Sequence, residues 1–303
     1  QAGRKGTEEE DSLNKIRMTA DRETNFVFHM LSVAGCGYDN AYGESHRSHY
    51  PEEDLAVIRE NGELLTVCGG EHCGALYWYM VSEPACGKVP AKEYYAALGK
   101  RAMQGDLPPD IQGYAENIRR ISDVMIRHYD YYVEKIWPEE QRKITAYIPA
   151  VSALFEETNF TEQAEELVGC KLMSEYFTAT MVTSVENGAE AIDISREKDV
   201  FGIVRAPLDS FYFIGHEFII YLLFHALKEE NAFRSMNTWG LTEGLAEYYL
   251  KKITGDVRFF DAQRKYVEFY EQCERERPLS AAELYRMGLQ KEGIGEAGPE
   301  THT

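Results

Sequence analysis

Four residues in two apolar segments have the types and the spacing for acid–base or metal chemistry. His216 and Glu217 are neighbours in the segment GHEFIIYLLFHAL, and Glu243 and Glu247 lie four residues apart in the segment WGLTEGLAEYYL. If the second segment is a helix, its two acids share one face, because side chains four residues apart point to the same side. A buried carboxylate without a partner is costly. We therefore expect these acids to meet a partner, a metal-bound water or a cleft.

Together the two segments resemble the gluzincin metallopeptidases. In that family an H-E-x-x-H helix supplies two zinc histidines and the catalytic glutamate, and a downstream helix supplies the third ligand. The resemblance implies that His216 is the first zinc ligand, that Glu217 is the general base and that Glu243 is the third ligand. It implies for Glu247 a hydrogen bond from the far nitrogen of His216. The family's chemistry is the activation of a zinc-bound water by the glutamate.

One position departs from the family pattern. Ile220 occupies the place of the second histidine, and its alkyl side chain cannot bind a metal. His225 cannot replace it, because a residue nine positions after His216 faces the opposite side of the same helix. One histidine and one carboxylate remain, where zinc takes three protein ligands. The sequence therefore predicts no zinc or weakly bound zinc, and a non-catalytic or weakly active homologue that binds a peptide or protein ligand.

Two other interpretations stay open. The first is an active zinc-dependent peptidase in which another side chain replaces Ile220; the candidates for that role are Glu247, His72, His46 and His49. The second is a globular protein in which His216 and Glu217 make ordinary buried hydrogen bonds.

The overall composition excludes several classes of partner. The chain of 303 residues has a net charge of -19, from 32 Lys and Arg against 51 Asp and Glu, which disfavours nucleic acid and anionic membranes. No apolar run reaches the ~18 residues of a transmembrane helix. The segment CGGEHC is at most half a zinc site.

The polar start of the chain is typical of the residues next to a removed secretion signal. It predicts an extracellular or cell-surface location in a bacterium, with a cytoplasmic location as the alternative.

The elements that must position these residues predict an α+β fold. We expect a flexible leader at 1–12, a mostly helical region at 13–140, a gluzincin-like region at 141–292 and a flexible tail at 293–303. The gluzincin-like region would contain a small, mostly antiparallel sheet packed on the helix of His216, followed by further helices.

The boundaries come from periodicity and from turn-forming residues. Apolar positions predict a long helix after Asp110 that Pro138 ends, while the Tyr- and His-rich stretch after Cys36 is typical of a loop. Segments rich in Val, Ile, Thr and aromatic residues predict strands at 142–155, 175–185, 189–195 and 199–206. Helices are expected at 210–229, 239–253, 257–275 and 281–290, the last with a capping box formed by Ser280 and Glu283.

Overall fold

The computed structural model describes residues 14–37, 40–66, 74–186, 189–203, 206–230, 232, 236–256, 264–275 and 277–294. The predicted leader, the CGGEHC segment with His72, and most of the predicted tail lie outside these residues. The chain divides into two compact units. We call residues 18–152 and 177–217 the N-terminal unit, and residues 1–17, 153–176 and 218–303 the C-terminal unit.

Helices dominate the described residues, and a small sheet accompanies them, so the predicted α+β class is confirmed. The helices are α1 Arg22–Ala34, α2 Ala41–Arg47, α3 Glu52–Glu60, α4 Gly62–Leu65, α5 Glu83–Ala85, α6 Ala91–Gln104, α7 Ala115–Tyr131, α8 Trp137–Thr158, α9 Phe160–Val168, α10 Pro207–Ala226, α11 Met236–Thr254, α12 Arg264–Cys273 and α13 Ala281–Lys291. The strands are β1 Ile16–Thr19, β2 Phe177–Val182, β3 Ala189–Asp193 and β4 Lys198–Gly202. Among the described residues, no helix combines the length and the hydropathy needed to span a bilayer.

Helix α1 lies at the centre of the N-terminal unit. Every residue of this helix from Glu23 onward is buried, including the polar side chain of His29. The helix begins at Asp21, whose side chain accepts a hydrogen bond from the backbone N–H of Thr24 at 2.8 Å. It ends at Gly35, whose φ of 71° lies in the left-handed region that glycine adopts without a steric penalty. A helix buried all round places its polar residues in the core, where each needs a partner.

The predicted strand at 142–155 is wrong, because these residues lie inside the helix α8. Their β-branched and aromatic residues favour a strand by propensity. However, the buried residues Ile144, Val151 and Phe155 are spaced by seven and four, which is the spacing of one helix face. Packing of that face decides the structure against local propensity.

The prediction that Pro138 ends the preceding helix is also wrong. Pro138 is the second residue of α8, directly after a π-helical segment at Tyr132–Ile136. The backbone N–H of Trp137, directly before Pro138, donates to the carbonyl oxygen of Tyr132 in the π-helical segment, and Pro138 itself has no N–H to place. The π-helical segment also shifts the hydrogen-bond ladder locally. The chain therefore continues as a helix through Pro138.

The strands predicted at 175–185, 189–195 and 199–206 are confirmed as β2, β3 and β4, with shorter bounds. The strand order among the described residues is β1-β2-β4-β3. Strands β3 and β4 pair antiparallel and β2 and β4 pair parallel, so the sheet is mixed; the prediction of a mostly antiparallel sheet did not include this parallel pair. Strand β4 inserts between its two predecessors, and hydrophobic alternation carries no information on strand order.

Side chains cover the outer edge of β3. Tyr77 donates its hydroxyl hydrogen to the carbonyl oxygen of Ala191 at 2.9 Å. Ser82 and Cys86 donate to the carbonyl oxygen of Ile192, the thiol at 3.2 Å. These donors come from the helical stretch around α5, so β3 is paired with β4 on one side and capped by side chains on the other.

The helices predicted at 210–229, 239–253 and 281–290 are confirmed as α10, α11 and α13. Part of the helix predicted at 257–275 is α12, and residues 257–263 lie outside the described residues. The capping box at the start of α13 is present as predicted, with the Ser280 side chain and the Glu283 side chain bonding reciprocally to the backbone.

Glycines let the helices of the C-terminal unit approach one another. Helix α11 packs against α12 and α13. A Cβ atom added at Gly244 of α11 would lie 2.4 Å from Cβ of Tyr266 on α12. A Cβ atom added at Gly288 of α13 would lie 2.8 Å from the hydroxyl oxygen of Tyr270. A methyl group at either position would require neighbouring atoms to shift.

Candidate functional site

The His216 segment lies within one continuous helix, α10. His216 is fully buried, Glu217 is half-buried, and Ile220 is 3% exposed. Ile220 follows His216 by one helical turn, so the two side chains project from the same side of α10. The division between the compact units falls inside this helix, with Glu217 in the N-terminal unit and Ile220 in the C-terminal unit.

The second predicted segment lies within the helix α11 of the C-terminal unit. Glu243 is half-buried, and Glu247 is fully buried. The two carboxylates lie one turn apart on this helix, as the spacing predicts. A fully buried glutamate is rare in proteins unless it is paired.

The side chains present do not fit the zinc ion of the gluzincin family. The alkyl side chain of Ile220 offers no donor atom where that family has its second histidine. Among the described residues, no group of three or more His, Cys, Asp and Glu side chains could hold a metal ion. His46 and His49, two of the candidate replacement ligands, lie near the ring of His29, in a cluster of histidine and tyrosine side chains. His72, another candidate ligand, lies outside the described residues.

A second polar site, which the sequence analysis did not predict, lies inside the N-terminal unit. We call it the His29 cluster; its members are His29, Tyr42, Tyr50, Tyr132, Glu140 and Thr183. They come from α1, α2, the turn before α3, the π-helical segment, α8 and the end of β2. The rings of His46 and His49 extend the cluster towards the surface. The His46 ring lies 5.5 Å from that of His29 and 5.6 Å from that of His49.

Glu140 is the negative group at the centre of the cluster. Three hydroxyl groups donate to its carboxylate: Tyr42 and Thr183 to Oε1, the latter at 2.6 Å, and Tyr132 to Oε2 at 2.5 Å. Burial raises the pKa of Glu140, and the hydrogen bonds from these hydroxyls work against that rise. The carboxylate is therefore held in a pocket of hydroxyl groups.

His29 connects this carboxylate to Tyr50. Its Nδ1 atom forms a hydrogen bond with the hydroxyl of Tyr42, and its Nε2 atom lies 2.6 Å from the hydroxyl oxygen of Tyr50. Burial lowers the pKa of His29 well below its ordinary value, and the neighbouring histidines His46, His49 and His128 add to this effect. His29 is therefore a neutral imidazole whose two nitrogens both have hydroxyl partners.

Tyr50 links the cluster to an ion pair. The ring of Tyr50 packs edge-on against His128, with ring centroids 5.0 Å apart. Nε2 of His128 lies 2.7 Å from Oδ2 of the buried Asp54, and Arg127 donates to the other oxygen of that carboxylate. Burial opposes the charge of Asp54, but the hydrogen bonds from Arg127 and His128 outweigh it, and the pKa of Asp54 is lowered.

Replacing Asp54 by asparagine should lower the free energy of unfolding by about 1.5–3 kcal/mol at neutral pH, because hydrogen bonds to a charged group are lost. The pKa of Asp54 is depressed in the folded state, so this stability is present above the ordinary aspartate pKa of about 3.9. It disappears as the pH falls through the lower folded-state value. Urea unfolding of wild type and Asp54→Asn across this range measures the difference.

The matched control for this prediction is Asp106→Asn, because the Asp106 side chain is 80% exposed and its contact with Arg101 is 3.9 Å long. We expect this variant to differ from wild type by less than about 0.5 kcal/mol at every pH. A destabilisation by Asp54→Asn that stays constant down to low pH would show that the lost interaction is not one of the charged carboxylate.

The sequence contained one signal for the His29 cluster. The stretch 38–50 is rich in tyrosine and histidine, and Tyr42, His46 and Tyr50 contribute to the cluster or pack against it. The prediction of a loop for this stretch is wrong, because α2 forms there. Asn40 caps α2 by accepting from the backbone N–H of Gly43, and an added Cβ at Gly43 would lie 2.3 Å from the carbonyl oxygen of Ser32 on α1. This close approach brings Tyr42 to His29.

The N-terminal unit also contains an open cleft of about 370 Å³ beside the end of β3. The exposed side chains of Trp78 and Ile194 line it, together with charged residues of both signs. Lys88 pairs with Glu83 at 3.1 Å. The volume suits a small ligand.

Comparisons with known proteins were made with family models, with curated proteins and with solved structures. None of these comparisons finds a match to this chain.

Proposed function

We propose that this protein is a metallopeptidase-like protein with a degenerate zinc site, which binds a peptide or protein ligand and has little or no catalytic activity. The proposal rests on the resemblance of the His216 and Glu243 segments to the two ligand helices of gluzincins. Its support is that both segments lie in long helices that come after a small sheet in the chain, which is the order of the family.

One observation carries the degenerate form of the proposal. Ile220 lies one turn after the fully buried His216 on the same continuous helix and is itself 3% exposed. A buried alkyl group in a ligand position removes a donor atom and fills its space with carbon. The reaction of the family needs a zinc-bound water, so a chain without the second ligand keeps the fold and loses the chemistry.

The experiment that tests this proposal restores the missing donor. In Ile220→His, the new imidazole projects from the same side of α10 as His216. We expect zinc to raise the melting temperature of this variant and not that of wild type. Binding to the folded state alone stabilises by about 2.7 kcal/mol at a zinc concentration 100 times the Kd. Thermal melting with and without zinc, together with calorimetric titration, measures the effect.

Two further variants make the test specific. Leu222→His places the same side chain at an equally buried position on another side of α10, so it should be destabilised without rescue by zinc. Adding Glu243→Ala to Ile220→His should abolish the zinc effect if Glu243 is the third ligand, as the resemblance implies. An Ile220→His variant that ignores zinc would contradict the proposal.

Metal analysis of the wild-type protein separates the proposal from its alternative. A stoichiometric, tightly held zinc ion in protein purified without added metal would favour an active zinc hydrolase that uses a different ligand in place of Ile220. We expect less than stoichiometric zinc, because loss of a direct ligand weakens binding by more than the ~10–100-fold typical of losing a supporting hydrogen bond.

A further inference from the structure

The donors and acceptors of the His29 cluster can be assigned in one direction. An ionised carboxylate only accepts hydrogen bonds, so the single hydroxyl hydrogen of Tyr42 points to Glu140. The oxygen of Tyr42 must then accept the hydrogen bond that joins it to Nδ1 of His29. The proton of the neutral His29 ring is consequently on Nδ1. Its Nε2 atom carries no proton and accepts from the hydroxyl of Tyr50 at 2.6 Å.

This series of hydrogen bonds has one other consistent arrangement. If a proton is added to Glu140, its carboxyl group donates to Tyr42, and Tyr42 donates to Nδ1 of His29. The ring then carries its proton on Nε2 and donates to Tyr50. Between the two states every hydrogen bond from Tyr50 to Glu140 reverses, and the His29 ring is neutral in both.

We propose that Tyr50, His29 and Tyr42 form a proton relay that carries a proton to and from the buried carboxylate of Glu140 without leaving a charge on His29. A proton that arrives at the oxygen of Tyr50 displaces the Tyr50 hydrogen to Nε2 of His29. The Nδ1 hydrogen passes to Tyr42, and the Tyr42 hydrogen passes to Glu140. One O–H or N–H bond forms for each one that breaks, and the net change is one proton bound at Glu140.

Both ends of the relay are buried, Tyr50 at 6% and Glu140 at 4% exposure, and they differ in what lies next to them. Glu140 is 4% exposed and lies behind three hydroxyl groups, so direct exchange of its proton with water is hindered. The Tyr50 end adjoins groups that reach the surface, because its ring packs against Tyr131, which is 38% exposed. The arrangement supplies a route for a proton across a buried layer of side chains.

The titratable and charged groups that face the relay come from each element packed around it. They are His46 and His49 from α2 and the turn after it, Asp54 from α3, His128 and Tyr131 from α7, and Glu139 and Lys143 from α8. Burial raises the pKa of Glu140, so its protonation occurs at a higher pH than that of an ordinary glutamate. Burial lowers the pKa of His29 well below its ordinary value, which disfavours a charge on the ring.

Nuclear magnetic resonance of the full chain tests the relay directly. Long-range proton–nitrogen spectra of the ¹⁵N-labelled protein distinguish the two neutral forms of a histidine ring. At about pH 8 we expect His29 to carry its proton on Nδ1. As the pH falls, we expect the proton to move to Nε2, with a midpoint above the ordinary glutamate pKa of about 4.3.

A matched pair of Tyr→Phe variants identifies the path. Tyr42→Phe cuts the relay between Glu140 and His29, so the ring form should no longer follow pH. Tyr132→Phe removes a donor to the other oxygen of Glu140 and leaves the relay intact. It should keep the switch and move its midpoint to higher pH, because a hydrogen bond to the charged form is lost.

Several results would overturn the relay. They are a proton on Nε2 of His29 at about pH 8, an unchanged ring form down to acid unfolding, and a doubly protonated ring in place of the switch. A His29 ring form that still changes with pH in Tyr42→Phe would also overturn the relay. The wild-type measurement decides the first three of these even if a variant does not fold.

Discussion

Replacing Glu140 by alanine should lower the free energy of unfolding by about 3–5 kcal/mol, the largest effect that we expect from a single change in this chain. The substitution leaves the hydroxyl groups of Tyr42, Tyr132 and Thr183 without the acceptor that they share. Each buried donor without a partner costs about 1–3 kcal/mol, and relaxation of the side chains recovers part of that sum. A cavity adds to the loss.

The neighbouring Glu139 provides the control for this prediction. Its side chain is 63% exposed and pairs with Lys143 one turn along the helix at 2.8 Å. Glu139→Ala should change the free energy of unfolding by less than about 0.5 kcal/mol. Urea unfolding of both variants at neutral pH measures the difference. A loss below about 1 kcal/mol for Glu140→Ala would mean that the three hydroxyl groups find other partners.

The second large effect is expected where α11 meets α12. Gly244→Ala should lower the free energy of unfolding by about 1–3 kcal/mol, because the new methyl group would lie 2.4 Å from Cβ of Tyr266. That atom is attached directly to the backbone of α12, so relieving the overlap requires a shift of the helix. The gain in helix propensity from glycine to alanine, about 1 kcal/mol, opposes this cost without removing it.

Gly240 tests the same reasoning one turn earlier on α11. An alanine methyl group there would lie 3.6 Å from Cε2 of the same Tyr266, which is an ordinary contact distance. Gly240→Ala should therefore stabilise the protein by up to about 1 kcal/mol through helix propensity alone. Thermal or urea unfolding of the two variants should give opposite signs. Stabilisation by both variants would show that α12 does not pack on α11 in this way.

The elements that were predictable from sequence are those in which local and tertiary preferences agree. The segment of α10 is predominantly apolar and contains no glycine or proline after residue 215, and α13 begins with a capping box that needs no distant partner. Helix α8 is the opposite case, because its β-branched residues favour a strand and only the burial of Ile144, Val151 and Phe155 on one face makes it a helix. Local propensity alone is therefore misleading for this helix.

The candidate sites also differ in whether local sequence or contacts between distant segments determine them. The placement of His216 and Glu247 in buried helix positions followed from the apolar residues around them. The stretch 38–50 was a signal for part of the His29 cluster, but its pairing with Glu140 could not be predicted, because Tyr42 and Glu140 are separated by 98 residues. Their meeting depends on the close approach of α2 to α1 at Gly43. Periodicity within a segment does not encode such an approach.

The capping of β3 by Tyr77, Ser82 and Cys86 has a consequence for the protein in crowded solution. An outer strand with unpaired backbone groups is a template to which a strand of another molecule can add, and this is a common start of aggregation. Here the carbonyl oxygens of Ala191 and Ile192 already accept hydrogen bonds from side chains. If the segment around α5 detaches while the sheet remains folded, β3 becomes such a template. We therefore expect local opening of this short helical segment, as well as global unfolding, to expose β3 to pairing with another molecule.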